Sequence, residues 1–99
     1  MILKTFLKQP NEAKDYDISY EPWLIPIDDT LDEVDVEVTC LTDPDDNSLL
    51  FYRSEITTTL FKLWLSGGTS GYAYKVTLKA STVGGRVDES ELIFAIEDI

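Results

Sequence analysis

Leu60–Glu97 reads LFKLWLSGGTSGYAYKVTLKASTVGGRVDESELIFAIE. Two apolar runs are separated by glycines and a third returns after them, the way a chain writes consecutive antiparallel strands. Phe61, Leu63 and Leu65 alternate with Lys62 and Trp64, and Tyr72, Tyr74, Val76, Leu78 and Ala80 alternate with Ala73, Lys75, Thr77 and Lys79. Leu92, Phe94 and Ile96 supply a third apolar face. A period of two belongs to half-buried strands. Ser66–Gly71 between them, with Gly67, Gly68 and Gly71, is a turn; it lacks the lysine and the following helical pattern of a phosphate-cradling loop.

Parity fixes the last hairpin. A two-residue turn at Gly84 and Gly85 would set Phe94 against Lys75 and Leu92 against Thr77, apolar against polar on one face. A three-residue loop, Val83–Gly85 with Gly85 left-handed or Gly84–Arg86, instead brings Tyr74 and Val76 across from Leu92, Phe94 or Ile96. The odd loop is therefore expected. Tyr74 and Val76 also have the spacing of a tyrosine corner entering the next-to-last strand of a sandwich, with Val76 where antibody domains keep a cysteine. The Tyr74 hydroxyl should then bond backbone a few residues upstream.

Upstream, the signals are similar but shorter. Met1–Leu7 reads as an edge strand or a docking arm that Pro10 ends. Asp15–Tyr20 alternates Tyr16, Ile18 and Tyr20 with acids and Ser19. Pro22 and Pro26 deny a helix to Glu21–Pro26 and favour an extended path, from which Trp23 and Leu24 cap one end of the core. Asp28–Glu33 is an acidic turn. Val34–Leu41 follows as the cleanest strand, with Val34, Val36, Val38 and Cys40 on one face, which makes Cys40 a small buried hydrophobe and not a nucleophile. Thr42–Asn47 is a turn with three aspartates; without the glycine and distal glutamate of a calcium loop, it is solvated. Ser48–Tyr52 and Ile56–Thr59 are short β-prone pieces. Seven or so strands without a helical period predict an all-β, antiparallel Ig-like sandwich, one domain over residues 1–99 with residues 1–10 as its possible arm.

Composition removes whole classes of function. The 99 residues include no histidine and one cysteine, so an internal disulfide, a cysteine metal cluster and the usual general base are absent. No catalytic, cofactor or metal site is expected. No apolar run reaches the roughly 20 residues of a spanning helix, and the N-terminus lacks a signal-peptide pattern. Synthesis in a reducing cytoplasm, and no membrane partner, are expected. The net charge of −11 makes nucleic acid a poor partner. Charge is also lopsided: thirteen acids against Lys14 alone fall between Asn11 and Asn47, while only Lys62, Lys75, Lys79 and Arg86 carry charge between Ile56 and Arg86. That pattern suits a solvated acidic face, or an acidic face that meets a basic neighbour. Asp28, Asp29, Asp32, Glu33, Asp35 and Glu37 are the candidate partner contacts. Tyr74, Val76, Trp23, Trp64, Gly67, Gly68, Gly71, Gly84 and Gly85 are read as structural.

Asp15–Leu24 (DYDISYEPWL), the acidic turn after it, Trp64–Gly71 (WLSGGTSG), Tyr74-Lys-Val76 and Gly85–Asp88 (GRVD) together resemble the fiber-tail adaptor proteins of tailed bacteriophages and prophages. The resemblance implies an Ig-like sandwich of roughly this size, a virion component near the tail without catalytic activity, made in the host bacterial cytoplasm. Its implied partners are other virion proteins of the tail, fiber or head-tail region, met by multiple symmetric copies. The chain departs from the family in an inserted-looking Thr42–Ser54 region and in its more negative charge. A head-decoration or head-tail connector role on the same fold is the nearest alternative. An acidic inhibitor that imitates DNA to occupy a host nucleic-acid-binding protein is the alternative from another class.

Overall fold

The computed structural model describes residues 2–98; Met1, grouped above with the N-terminal stretch, lies outside the described residues. Seven strands and one short helix follow in order: β1 Leu3–Lys8, β2 Ala13–Ser19, α1 Glu21–Leu24, β3 Leu31–Cys40, β4 Leu49–Ile56, β5 Leu60–Gly67, β6 Ala73–Thr82 and β7 Val87–Ile96. They form a four-stranded sheet in the order β1-β7-β6-β3 and a three-stranded sheet in the order β2-β5-β4. The groupings β3-β6-β7 and β2-β5-β4 are those of an Ig sandwich.

Alternation builds the core between the sheets. Tyr16, Ile18, Phe61, Leu63 and Leu65 face inward from one sheet, and Tyr74, Val76, Leu78, Leu92, Phe94 and Ile96 from the other. Their alternate neighbours point outward, so β2, β5, β6 and β7 bury alternate side chains. Phe6, Tyr16 and Phe94 meet at ring-centroid distances of 4.9 to 5.1 Å and tie β1 and β7 to β2. Aromatic triads of this kind add roughly 0.5–1.5 kcal/mol per pair beyond the area they bury.

The final hairpin has the odd loop. Tyr74 pairs with Phe94, Val76 with Leu92 and Lys75 with Ile93. Thr82 N–H donates to Arg86 O at 2.9 Å and Gly85 N–H to Thr82 O at 3.1 Å, leaving Val83–Gly85 as the loop. Gly85 is left-handed at φ 88°, the conformation a three-residue loop of this type requires.

The expected all-β antiparallel sandwich is borne out, with one parallel pair in it, β1 beside β7, which sets Phe6 next to Phe94. Three expectations change. Glu21–Leu24 is a helical turn and not an extended path. Pro22 sits in the first turn, where its missing N–H would have had no partner anyway. The strand expected to begin at Val34 begins at Leu31, so Leu31–Glu33 is strand and not turn; a bulge near Asp32 interrupts its alternation. The two pieces expected at Ser48–Tyr52 and Ile56–Thr59 give way to one strand, β4, which runs through the gap between them to Ile56 and leaves Thr57–Thr59 in the turn before β5; its bulge at Tyr52 switches the outward face from Leu50 to Arg53 and Glu55. That one-residue slip hides the period from the sequence.

Candidate partner-binding surface

Two aspartates lock the two ends of the sandwich. In the β3–β4 loop, Asp46 accepts bonds from Tyr74 OH (2.8 Å), Thr69 Oγ1 (2.5 Å), Ser48 Oγ (2.7 Å) and Ser48 N–H (2.9 Å). These donors, Thr69 first, hold its carboxyl well below the usual carboxylate range. Tyr74 OH also accepts Thr69 N–H at 2.9 Å, so this hydroxyl ties its own strand to the preceding turn and to the β3–β4 loop. The arrangement is the tyrosine corner extended by a carboxylate. The turn expected to be solvated is thus fastened to the core, chiefly through Asp46 and also by Thr42 and Ser48.

At the other end Asp29 accepts from Thr30 N–H (2.8 Å), Gly84 N–H (2.9 Å) and Arg86 Nη1 (2.8 Å). With the Thr82 side chain as the largest contributor, these donors hold its carboxyl far below the usual range. A Cβ at Gly84 would press on this carboxylate at 2.7 Å. Asp29 therefore joins the helix–β3 connection to the β6–β7 loop and is buried. It does not share the exposure expected of a partner contact, because its hydrogen bonds draw it inward.

The other acids separate into groups. Asp28 is exposed in the loop after α1 and has a positive φ of 52°. Asp32 and Glu33 are exposed at the β3 bulge. Asp35 and Glu37 stand on the outer face of the four-stranded sheet, across from Lys79 and Thr77. With Val36, Thr77, Lys79 and Glu89 they line an open depression of about 430 Å³. Lys75 approaches Glu91 at 3.9 Å on the same face. The lopsided sequence charge is thus interleaved in space, since β6 carries its lysines between acidic β3 and β7.

The same outer face turns apolar toward the Asp46 end. Leu7 pairs with Ala95, Ala95 with Ala73, and Leu41 N–H donates to Ala73 O at 2.8 Å. One row across all four strands is therefore Leu7, Ala95, Ala73 and Leu41, with Leu7 and Leu41 more than half exposed. On the outer face of the other sheet, charges gather around Trp64. Arg53 lies over the Trp64 ring at 4.3 Å and Lys62 approaches it at 5.7 Å, while Lys62 reaches Asp15 at 3.4 Å and Asp17 at 3.7 Å. Stacked cations cover this indole.

Trp23 is half-buried and packs on Tyr20 at a centroid distance of 6.2 Å, beside fully buried Leu24. Cys40 is buried and pairs in register with Tyr74; Val76 lies wholly in the core. Gly67 is left-handed, and a Cβ there would collide with the Ser48 carbonyl oxygen. Gly68 packs under Ile96, whereas Gly71 has open space around its Cα.

Sequence reasoning missed Lys8. This lysine is fully buried, and its Nζ donates to Gly67 O (2.6 Å) and Gln9 O (2.9 Å). Burial lowers its pKa, and Glu12 partly offsets the effect. The only available signal was parity: Phe6 and Lys8 share a face in a strand ending at Pro10. For Asp46 the signal was the local Asp-x-Ser turn at Asp46–Ser48, which favours side-chain bonding to backbone two residues on.

None of the curated proteins compared with the chain matches it. The family model described as podophage GP4 fiber-tail adaptor protein gp77 matches residues 8–95. That match runs from the end of β1 to the end of β7, and so takes in both aspartate locks and every turn between them; the chain belongs to the podophage GP4 fiber-tail adaptor protein gp77 family.

Proposed function

We propose that this protein is a non-enzymatic structural component of a podophage particle, an adaptor that joins the tail to a fiber or to a neighbouring tail protein. Its family membership over residues 8–95 carries the reading. The physical features support it. Asp46, Asp29 and Tyr74, each with three or more hydrogen bonds, serve as internal fasteners. What remains for function is surface: sheet faces, sheet edges and exposed loops, which suit binding to other proteins.

Asp32, Glu33, Asp35 and Glu37 remain available for partner contact, and Leu7 and Leu41 add apolar area at the other end of the same sheet. In a symmetric particle each weak contact is repeated at every copy, so modest patches suffice. Imitation of DNA is less well supported, because Lys62, Lys75 and Lys79 interrupt the acidic surface that would have to follow a phosphate backbone. Cryo-electron microscopy of particles carrying the chain tests the placement. Density for the sandwich at the tail–fiber junction is expected. Density on the head shell would replace the adaptor with a decoration protein.

A further inference from the structure

Each sheet ends in two edge strands, and they differ. β3 is bulged near Asp32 and β4 at Tyr52, and bulges twist an edge away from further pairing. β2 pairs with β5 over seven residues without a bulge. Tyr20 N–H donates to Thr59 O at 2.8 Å, so even-numbered residues of β2 turn their backbone groups toward β5. By the alternation of an antiparallel ladder, Ala13, Asp15, Asp17 and Ser19 turn theirs to the open side. No strand among the described residues pairs there. In Ig sandwiches the first strand commonly runs beside the second; here β1 pairs with β7 instead and leaves that side of β2 open.

The seam behind this edge is hollow. One depression of about 230 Å³ is lined by Ile2, Lys4, Asp17, Ile18 and Ser19. Another of about 130 Å³ reaches Tyr20, Pro22 and Trp23. Both fall below the roughly 300–1,000 Å³ of small-molecule sites and suit single side chains. On the outer face, Asp15 and Asp17 share one cation, Lys62, at 3.4 and 3.7 Å, which leaves a negative charge uncompensated.

We propose that the open edge of β2 accepts an extended segment of a partner protein as an added strand. The segment alternates basic side chains, opposite Asp15 and Asp17, with apolar ones that enter the hollow beside Ile2, Ile18 and Trp23. Main-chain bonds supply affinity and the alternate pockets supply specificity. A second copy is a poor occupant: pairing β2 with β2 would oppose aspartates to aspartates between two chains of −11 each. That the segment comes from a virion protein rests on the adaptor reading; the edge and its chemistry do not.

The probe is a capped octapeptide (Lys-Val)4, titrated into the isotopically labelled protein and followed by NMR. Saturable shifts and slowed exchange are expected at the Asp15 and Asp17 amides. Asp17→Pro removes one edge donor, and the double variant Asp15→Asn with Asp17→Asn removes the charge and keeps the fold in case the proline variant does not. Each is expected to weaken binding about tenfold, the proline by losing a main-chain bond and the double variant by losing its charge pairing. A block-ordered peptide of four lysines followed by four valines should bind about tenfold more weakly than the alternating one. Absence of saturable change at these amides, equal affinity for both peptides, or shifts centred on Asp35 and Glu37 would overturn the proposal. Protection of these amides without peptide, with dimer formation, would overturn the choice of occupant. None of these outcomes bears on whether the chain is in the particle.

Discussion

The Tyr74 hydroxyl donates to Asp46 Oδ1 at 2.8 Å while accepting the Thr69 N–H at 2.9 Å. One buried phenol thus holds together β6, the β5–β6 turn and the β3–β4 loop. Tyr74→Phe removes these bonds and the 3.1 Å bond with Ser48 Oγ but no packing, so it is expected to cost about 1 kcal/mol, a fall in melting temperature of roughly 4–8 °C for a domain of this size. An unchanged melting temperature would mean that the corner adds nothing to stability.

Acid should weaken the fold through the same end and its counterpart. Asp46 and Asp29 have folded pKa values depressed by their hydrogen-bond donors. Below the ordinary aspartate value of about 3.9 the unfolded chain binds protons that the folded chain still refuses, so stability falls as pH drops from there toward the lower folded values. Above that window their contribution is complete and flat. Chemical denaturation from pH 7 to pH 2 should show wild type and the Asp46→Asn variant converging as the pH falls. Parallel curves would contradict the assignment.

The β6–β7 loop offers a backbone test. Gly85 at φ 88° has nothing within 4 Å of an added Cβ, so Gly85→Ala meets conformational strain alone, at about 1 kcal/mol. Gly85→Asn should cost less, because asparagine tolerates this region. Equal losses for the two, read from thermal unfolding, would mean that something other than φ limits the position.

Lys8 is a buried cation. Lys8→Ala deletes its packed stem and leaves the Gly67 and Gln9 carbonyls without their ammonium donor. A loss of about 1–3 kcal/mol is expected. Hydrogen exchange should rise first in β1 and at the end of β7, where Lys8 pairs with Ile96. A loss confined to β4 would contradict this account.

How far the sequence was legible follows from one physical property, the period of two. Tyr74, Val76, Leu78, Leu92 and Phe94 lie in sheet faces that are buried on one side only, so residue type reports orientation and even the parity of the Val83–Gly85 loop can be derived. The period fails where backbone irregularity intervenes. At Tyr52 a bulge shifts the pattern by one, and β4 reads as a fragment that stops there. At Pro22 a residue that usually opposes helix is harmless within its first turn. The parallel pairing of β1 with β7 joins residues about ninety positions apart, and nothing local encodes it.

The candidate surface was less legible than the fold. Composition located the acids of Asp28–Glu37, but exposure depends on partners supplied by distant segments. Asp29 is buried because Gly84 and Arg86 reach it from the β6–β7 loop. Asp46 is fastened because Tyr74 and Thr69 converge on it. Local spacing carries no record of either contact.

Mass spectrometry of purified particles tests the central claim most directly. Peptides of this chain are expected to co-sediment with the particles at a fixed ratio to the tail proteins and to persist through salt washing. Its absence from intact, infectious particles would contradict the assignment to the virion.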